Sequence, residues 1–333
     1  MNVYFLLKLN QLIRIPFFKR VGIFILHVTK KRYLGIFMDP VLACNLRCKM
    51  CYFSDPEKRK TMQGILKKED ISKIASAFFS MALKLQIGCG AEPSLFPYNE
   101  ELVLLGKQYK IPYISITTNA NLFSCYDWLK LTKAGIDEFT LSIHGVTKES
   151  YEYFMNGASY GKFLETMKIL TIIKETHPKL KIRLNYTMNK DNVQELPAFF
   201  DVFDGYKFDI LQLRPIQPLG ETEYNDFSWE EIYACYDPII ENLKKQCKDR
   251  GITCLAPAKV DLLRKSRGNS PIVEMAYCYI NPRYSWRPDF NPDTETYASY
   301  SKRKRMNWMY FKNIFSVKKS LEEEHKRLNY DLG

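Results

Sequence analysis

The sequence lacks a long hydrophobic run. The longest apolar stretches near the N-terminus are residues 3–7 and 21–28, and Lys8, Arg14 and Lys19 lie between them. Neither stretch approaches the roughly 20 apolar residues that a membrane-spanning helix needs. No small-residue cleavage site follows them, so a secretory signal is not predicted. We therefore expect a cytoplasmic location.

Acidic residues are missing from two basic segments, residues 1–34 and residues 302–319. Residues 1–34 carry seven Lys or Arg, and residues 302–319 carry seven more, whereas residues 35–301 are close to neutral. These basic ends are also aromatic, which is typical of segments that contact an anionic membrane surface. We therefore expect the protein to contact a membrane surface peripherally through these basic ends. Nucleic acid is not an expected partner. Solvated helix faces packed on the domain are the alternative interpretation.

The nine cysteines do not form an obvious set of pairs, and a cytoplasmic chain is expected to keep them reduced. Cys44, Cys48 and Cys51 lie in the stretch ACNLRCKMCYF with the spacing C-x3-C-x2-C. Thiolate ligands select zinc or iron–sulfur clusters. Structural zinc takes four ligands, and no second close pair of cysteines follows. A 4Fe-4S cluster held by three cysteines would leave one iron open to a small molecule.

Short β-like runs alternate with helical stretches from residue 34 onward. Six such units predict an α/β fold with parallel strands and right-handed crossovers, as a partial (β/α)6 TIM-like barrel. We expect a basic amphipathic N-terminal segment at residues 1–33, a core at 34–250, and an irregular extension at 251–333 that ends in a basic helix. The predicted strands are residues 34–38, 83–87, 113–117, 138–143, 181–187 and 209–214. The predicted helices are residues 67–81, 100–109, 126–133, 163–175, 193–203 and 228–250.

Unusual motifs follow each predicted strand. In parallel barrels the chemistry lies at the C-terminal ends of the strands, so these motifs are expected to share one face. The motifs are the cysteine loop, GCGAEP (88–93), TTNAN (117–121), SIHG (142–145), NYTMNKDN (185–192) and RPIQPLG (214–220).

These ordered motifs resemble the radical S-adenosylmethionine (radical SAM) superfamily over residues 34–220. Among its members the chain is nearest to those with a SPASM-like C-terminal extension, here poor in cysteine. The resemblance implies that Cys44, Cys48 and Cys51 bind a 4Fe-4S cluster, and that backbone near Gly90 binds the amino group of S-adenosylmethionine. It implies that Ser142 bonds the nucleoside. The full set of cofactor-binding residues expected on this basis is Met50, Tyr52, Gly90, Ala91, Glu92, Pro93, Asn119, Ser142, Asn185 and Arg214.

The resemblance also implies the reaction. A reductant such as flavodoxin or ferredoxin would reduce the cluster, and S-adenosylmethionine would be cleaved to a 5′-deoxyadenosyl radical that abstracts hydrogen from a substrate. Many members carry an Arg about a dozen residues after the position of Ser142, but residues 151–163 contain none. Arg183 or Arg214 is therefore expected to bind the carboxylate instead, since guanidinium suits bidentate recognition.

Three interpretations stay open at this point. His144 replaces an Asp of the family motif and is either a substrate-facing acid or base, or a hydrogen-bonded loop residue. The substrate is either a small molecule or a peptide or protein, as in the peptide-modifying maturases. An interpretation of another class is a zinc-stabilised or degenerate barrel that binds a partner without redox chemistry.

Overall fold

The computed structural model describes residue 13 and residues 15–216, 222–224, 228–262 and 275–315. Within this part of the chain, strands alternate with helices in the βα order that the sequence predicts. The strands are β1 (Leu34–Met38), β2 (Ala82–Ile87), β3 (Tyr113–Thr118), β4 (Glu138–Ile143), β5 (Lys181–Met188), β6 (Ile210–Pro215), β7 (Thr253–Leu255), β8 (Tyr277–Asn281) and β9 (Tyr284–Ser285).

The helices begin before the first strand and end the described chain. They are α1 (Pro16–Val28), α2 (Pro56–Thr61), α3 (Lys68–Ile74), α4 (Asn99–Gln108), α5 (Cys125–Lys133), α6 (Lys148–Phe154), α7 (Tyr160–Thr176), α8 (Phe199–Phe203), α9 (Tyr233–Asp249), α10 (Lys259–Leu262), α11 (Tyr297–Arg303) and α12 (Met306–Ile314). A π-helical turn, Ala75–Phe79, continues α3. Short 3₁₀ turns are Tyr52–Ser54, Pro93–Leu95, Val193–Ala198 and Trp229–Ile232.

The described residues divide into two compact units. The first unit comprises the described residues within 1–42, 64–115 and 266–333, and the second comprises those within 43–63 and 116–265. In the first unit β1 lies between β2 and β8 and is parallel to both, and β9 pairs antiparallel with β8. A strand with neighbours on both sides has its backbone hydrogen bonds satisfied, so the end of β1 is firmly held.

The second unit contains four parallel strands in the order β4, β5, β6, β7. Their register aligns Ser142 with Asn185, and Asn185 with Gln212. Thr187 and Arg214 form the next aligned pair toward the carboxyl ends. Because residues two apart in a strand share a face, one face of β4, β5 and β6 carries a polar row at the carboxyl ends of the strands.

The opposite face of these strands forms the core of the second unit. Alternation puts aromatic and aliphatic side chains there, and α5, α7 and α8 supply further buried aromatic residues from the helical layer. Burying large apolar side chains in this way contributes about 1.5–3 kcal/mol each. The buried strand residues are Phe139, Leu141, Ile143, Leu184, Tyr186, Met188, Leu211 and Leu213, and the helical ones are Trp128, Phe163, Phe199 and Phe203.

Local sequence signals explain where several helices begin. Ser124 and Asp127 form a reciprocal capping box at the start of α5, with the Asp127 carboxylate accepting from the Ser124 amide at 2.8 Å. Thr296 and Ser299 make the same arrangement at α11. Pro16 is the first residue of α1, where the missing amide hydrogen has no intrahelical partner to lose.

All six predicted strands are present, and β1 and β4 have the predicted bounds. The basic helices expected at both ends are also present, as α1 and as α11 with α12. The expectation that residues 277–297 are irregular is wrong in part, because Tyr277–Asn281 forms β8 beside β1. That run is short and Pro282 follows it, so its pattern does not distinguish a buried strand from a loop.

Candidate functional site

The three cysteines of the C-x3-C-x2-C motif lie in the second unit, on a loop that is stabilised by hydrogen bonds among its own residues. Arg47 donates from one guanidinium nitrogen to the carbonyl oxygens of Cys44, at 2.8 Å, and Leu46, at 2.7 Å. The amide of Cys51 donates to the carbonyl of Cys48 at 3.0 Å. All three cysteines are partly buried, and none of them forms a disulfide. Burial raises the pKa of the Cys51 thiol to about 11.

Neighbouring elements of the second unit hold this loop in place. The amide of Arg47 donates to the carbonyl of Asn156 at 2.8 Å, and the amide of Lys49 donates to that of Phe154 at 3.0 Å. The Asn119 side-chain amide donates to Asn45 Oδ1 at 2.8 Å. Asn119 was expected to bind the cofactor, and the structure shows it in contact with a residue between the first two cysteines. The loop is therefore fixed at both its main chain and its side chains.

Met50 and Tyr52 flank the third cysteine. Met50 is buried in an apolar cluster with Phe154 and Ile216, and its sulfur accepts a hydrogen bond from Asn189 Nδ2 at 3.0 Å. Tyr52 is 3% exposed and begins the 3₁₀ turn after Cys51. Both side chains anchor the loop, which leaves the backbone beside them as the part available to a ligand.

Among the residues that the structure describes, no group of three or more His, Cys, Asp or Glu side chains, the three cysteines included, is arranged to hold a single metal ion.

The GCGAEP segment lies in the first unit, directly after β2. Gly88 has a φ of +76°, which glycine adopts at no steric cost, and its amide continues the ladder to the Met38 carbonyl at 2.8 Å. Glu92 is buried, and its Oε1 accepts from the Ser94 amide at 3.0 Å and from the Ser94 hydroxyl at 2.6 Å. These bonds cap the turn that starts at Pro93. Glu92 thus fixes the end of the loop that contains Gly90 and Ala91.

Ser142 and Asn185 lie side by side at the carboxyl ends of β4 and β5. Asn185 is 6% exposed, and its Oδ1 is buried with no hydrogen-bond partner among the described residues. An unpaired buried amide oxygen costs about 1–3 kcal/mol. Arg214, at the end of β6, is exposed. These three polar groups therefore converge on one end of the polar face of the second unit.

Arg183 does not fit the role of carboxylate anchor that the sequence left open for it. Its guanidinium makes a bidentate pair with Glu138, with both nitrogen–oxygen distances at 2.9 Å, and donates to Gln212 Oε1 at 2.8 Å. The Glu138 side chain is only 4% exposed. A guanidinium that already neutralises a buried carboxylate cannot leave it without stranding that charge, so Arg214 is the remaining arginine of the two.

His144 lies at the end of β4, where its backbone carbonyl accepts from Asn192 Nδ2 at 2.9 Å. Burial lowers the pKa of the imidazole to about 4. The ring is therefore neutral at physiological pH, and Nδ1 has no partner within the described part of the chain. A neutral buried imidazole is a poor proton donor at neutral pH. Its role in catalysis stays a prediction.

Two residues near the site were not singled out from the sequence. Asn45, inside the cysteine motif, accepts the hydrogen bond from Asn119. Asp39, the first residue after β1, is a buried carboxylate that contacts the loop after β2. An acid directly after an apolar strand was the available signal for Asp39. Nothing in the local pattern of Asn45 distinguishes it from an ordinary loop residue.

Comparisons with known proteins agree with this geometry. The family model of the Radical SAM superfamily matches residues 38–192. The chain is 25% identical over 244 residues to a probable GTP 3′,8-cyclase of Sulfurisphaera tokodaii, covering 72% of this chain and 71% of that relative. It is 26% identical over 181 residues to a probable GTP 3′,8-cyclase of Saccharolobus solfataricus, covering 54% of this chain and 55% of that one. This second match spans about half the length of the relative.

Solved structures give the same fold. Streptococcus suis SuiB bound to S-adenosylmethionine matches with a TM-score of 0.57 at 16% identity, covering 75% of this chain and 59% of SuiB. Native anSMEcpe with bound AdoMet matches with a TM-score of 0.59 at 16% identity, covering 89% of this chain and 88% of that chain. The predicted α/β fold, a partial TIM-like barrel with parallel strands, is confirmed. The predicted domain boundaries and the SPASM-like nature of the extension stay predictions.

Proposed function

Because residues 38–192 match the family model of the Radical SAM superfamily, we propose that the chain is an enzyme whose Cys44, Cys48 and Cys51 hold a 4Fe-4S cluster beside a bound S-adenosylmethionine. When bound and reduced, these groups supply a 5′-deoxyadenosyl radical that removes a hydrogen atom from a substrate. A small reductant protein such as flavodoxin or ferredoxin supplies the electron. The polypeptide orients the bound groups and excludes water from them.

The observation that carries this proposal is the cysteine loop itself. It offers three thiols on a backbone fixed by hydrogen bonds to Phe154 and Asn156. Three ligands leave one position of a four-iron cluster for a small molecule. Thiolates are the ligands that such clusters take. The type of ligand and the spacing of the three cysteines therefore fit the cluster.

The polar groups of the second unit fit the small molecule. The unpaired Oδ1 of Asn185 can accept a hydrogen bond from a ribose hydroxyl or an amino group, and Ser142 beside it can donate or accept. Arg214 can pair with the methionine carboxylate through two parallel hydrogen bonds. In the first unit, the carbonyl groups of Gly90 and Ala91 can accept from the amino group. These assignments give the ribose, carboxylate and amino groups of S-adenosylmethionine partners of matching chemistry.

The names of the relatives indicate which classes of substrate to consider. Two of them are named as probable GTP 3′,8-cyclases, and solved structures of SuiB and anSMEcpe contain bound peptides. These names cover both a nucleotide and peptides. We therefore keep the proposal to hydrogen abstraction, with a peptide- or protein-modifying reaction as the second candidate.

The test is anaerobic reconstitution with iron and sulfide, followed by measurement of metal content and of 5′-deoxyadenosine released from S-adenosylmethionine. Wild type is expected to bind iron and sulfide and to release the nucleoside, and Cys48→Ala is expected to do neither. The matched control is Cys125→Ala, which removes an exposed thiol at the start of α5. Tightly held zinc without iron, or equal activity of Cys48→Ala, would refute the proposal and favour the zinc-stabilised alternative.

We further propose that the enzyme docks on an anionic membrane surface through α1 and α12. These helices pack together through Phe24 and Phe311, with ring centroids 5.9 Å apart, and through His27 and Tyr310, at 4.7 Å. Nine of the seventeen exposed large hydrophobic side chains among the described residues lie on or beside these two helices, a set that we call the aromatic end face. It consists of Ile15, Phe17, Phe18, Ile25, Val28, Trp308, Met309, Phe311 and Phe315.

Charge supports the same partner. Cations line both helices and the segments beside them, and no acid occurs in residues 13–33 or 302–315. An anionic membrane attracts each nearby Lys or Arg by about 1 kcal/mol. No described helix is long and apolar enough to cross a membrane. The cations on or beside the two helices include Lys19, Arg20, Lys30, Lys31, Lys302, Arg305 and Lys312.

Vesicle co-sedimentation tests the docking proposal. Phe18 and Trp308 are 56% and 55% exposed, and inserting each ring into the interface is worth about 1 kcal/mol or more. The double variant Phe18→Ser/Trp308→Ser is therefore expected to bind vesicles containing anionic lipid at least tenfold more weakly. Ile172→Ser, which removes a 66% exposed side chain on α7, is the control and should bind as wild type. Equal binding of the double variant, or no preference of wild type for anionic over neutral vesicles, would contradict it.

A further inference from the structure

Asp39 is a buried carboxylate in the first unit. Among the described residues, no Lys, Arg or His side chain forms an ion pair with it. Asp39 is 1% exposed. Its Oδ1 accepts from the amides of Cys89 at 2.7 Å, Gly90 at 3.1 Å and Ala91 at 3.3 Å. Its Oδ2 accepts from the amide of Gly90 at 3.1 Å and from the hydroxyl of Tyr279 at 2.6 Å. A single carboxylate thus satisfies three consecutive backbone amides.

The backbone geometry brings these groups together. The Gly88 amide bonds to the Met38 carbonyl, and the left-handed φ of Gly88 turns the chain directly afterwards. The Asp39 amide bonds to the Ile280 carbonyl, which ties the same residue to β8. Asp39 therefore lies between the loop after β2 and the strand that follows the core in sequence. Its side chain contacts both.

The donors indicate which form of the carboxyl group the structure favours. Three of its partners are backbone N–H groups, which can only donate, so the ionised form satisfies all of them. Burial raises the pKa of Asp39, and the hydrogen bonds from Tyr279 and from the three amides oppose that rise. A buried carboxylate that accepts this many hydrogen bonds fixes the geometry of its donors, which here are the loop amides and the Tyr279 hydroxyl.

We propose that Asp39 and Tyr279 are positioning residues that fix the peptide planes carrying the Cys89, Gly90 and Ala91 amides, so that the Gly90 carbonyl points toward the amino group of S-adenosylmethionine. The inference rests on the proposed function of the loop. An amide held by its N–H has its peptide plane fixed, and the carbonyl of the preceding residue, in the same plane, is then fixed as well. The bonds to the amides of Cys89, Gly90 and Ala91 thus fix the carbonyls of Gly88, Cys89 and Gly90. Tyr279 belongs to β8, which lies outside residues 38–192 that match the family model. The C-terminal extension therefore completes the support of a cofactor-binding loop.

Two measurements on three variants test this. Asp39→Asn places an amide group against backbone donors, and Tyr279→Phe removes one hydroxyl that donates to the carboxylate. The control is Tyr300→Phe, because the Tyr300 hydroxyl also donates to an aspartate, Asp289, at 2.9 Å. Tyr300 is buried to the same degree as Tyr279, at 5% exposed. The control thus removes the same type of hydrogen bond at another place.

The first measurement is amide hydrogen exchange of the peptide that covers residues 88–92 in the protein without iron. The second is the dissociation constant of S-adenosylmethionine for the reconstituted protein, with iron content measured in parallel. We expect Asp39→Asn to speed exchange and weaken binding by about tenfold or more, in line with the loss of charge-assisted hydrogen bonds. Tyr279→Phe should give a smaller change in the same direction at unchanged iron content, and Tyr300→Phe should change neither quantity.

The outcomes separate this inference from the proposed function. Wild-type exchange or wild-type affinity in Asp39→Asn would overturn the inference while leaving the cluster assignment intact. Should Asp39→Asn fail to fold, Tyr279→Phe decides, and affinity equal to that of Tyr300→Phe overturns the inference. A wild-type protein that binds neither iron nor S-adenosylmethionine overturns the proposed function and the inference's claim about the cofactor together.

Discussion

Replacing Asn185 by leucine should stabilise the free protein and weaken the binding of S-adenosylmethionine. The side chain is 6% exposed and its Oδ1 has no partner among the described residues. An unsatisfied buried polar group costs about 1–3 kcal/mol, and leucine has a similar branched shape without that cost. We therefore expect the free energy of unfolding to rise by about 1 kcal/mol, which corresponds to a few degrees in Tm.

A second buried asparagine provides the control. Asn121 is 7% exposed, but its Oδ1 accepts from the Ser159 amide at 2.6 Å, and its Nδ2 donates to the Tyr151 hydroxyl and to the Asn119 carbonyl, both at 2.9 Å. Asn121→Leu strands all of these partners. It should lower the free energy of unfolding by about 2 kcal/mol or more. The same substitution thus has opposite signs at the two positions.

Thermal unfolding of the protein without iron gives the change in Tm and in the free energy of unfolding. Titration of the reconstituted protein gives the affinity for S-adenosylmethionine. Asn185→Leu should bind the cofactor about tenfold more weakly, which corresponds to about 1.4 kcal/mol. If Asn185→Leu lowers Tm as much as Asn121→Leu does, the Asn185 oxygen has a partner that this reasoning omits. If the affinity is unchanged, Asn185 does not contact the cofactor.

Three further substitutions test the second unit. Glu138→Ala leaves a buried guanidinium unpaired and should cost about 3–5 kcal/mol in a denaturant titration, and a loss below 1 kcal/mol would contradict the buried ion pair. Burial alone raises the pKa of Asp209, but hydrogen bonds from Lys174 and its other donors lower it overall, so its carboxylate stabilises the fold above about pH 4 and less as the pH falls further. Asp209→Asn should therefore lose about 1.5–3 kcal/mol at pH 7, and an equal loss at pH 3 would refute this sign. Gly145→Ala puts a methyl group 2.5 Å from the Ser150 carbonyl carbon and should lower Tm by several degrees, whereas an unchanged Tm would show that the turn adapts.

Much of the strand framework follows from local pattern. The runs that form β1 and β4 are bounded by turn residues and rich in β-branched and aromatic side chains, so their bounds could be predicted to the residue. The run that forms β8 could not be recognised, because its pairing with β1 joins residues more than 200 positions apart. Nothing within such a short segment reports a distant partner.

The candidate site divides in the same way. The cysteines and Ser142 could be singled out because spacing along the chain and position at a strand end are visible in the sequence. The contacts of Asp39 could not be predicted, although its position after an apolar strand was visible, because they involve the amides of Cys89, Gly90 and Ala91 and the hydroxyl of Tyr279, four groups brought together by folding. The pairing of Arg183 with Glu138, which favours Arg214 of the two arginines left open, could not be predicted for the same reason.

Cys44, Cys48 and Cys51 are proposed to hold an iron–sulfur cluster with one position open to S-adenosylmethionine. Electron paramagnetic resonance of the anaerobically reconstituted and reduced protein, recorded before and after S-adenosylmethionine is added, tests both halves of that claim. We predict a cluster signal that changes on addition and that is absent from Cys48→Ala. A protein without a cluster signal, or a signal that S-adenosylmethionine leaves unchanged, would contradict the account.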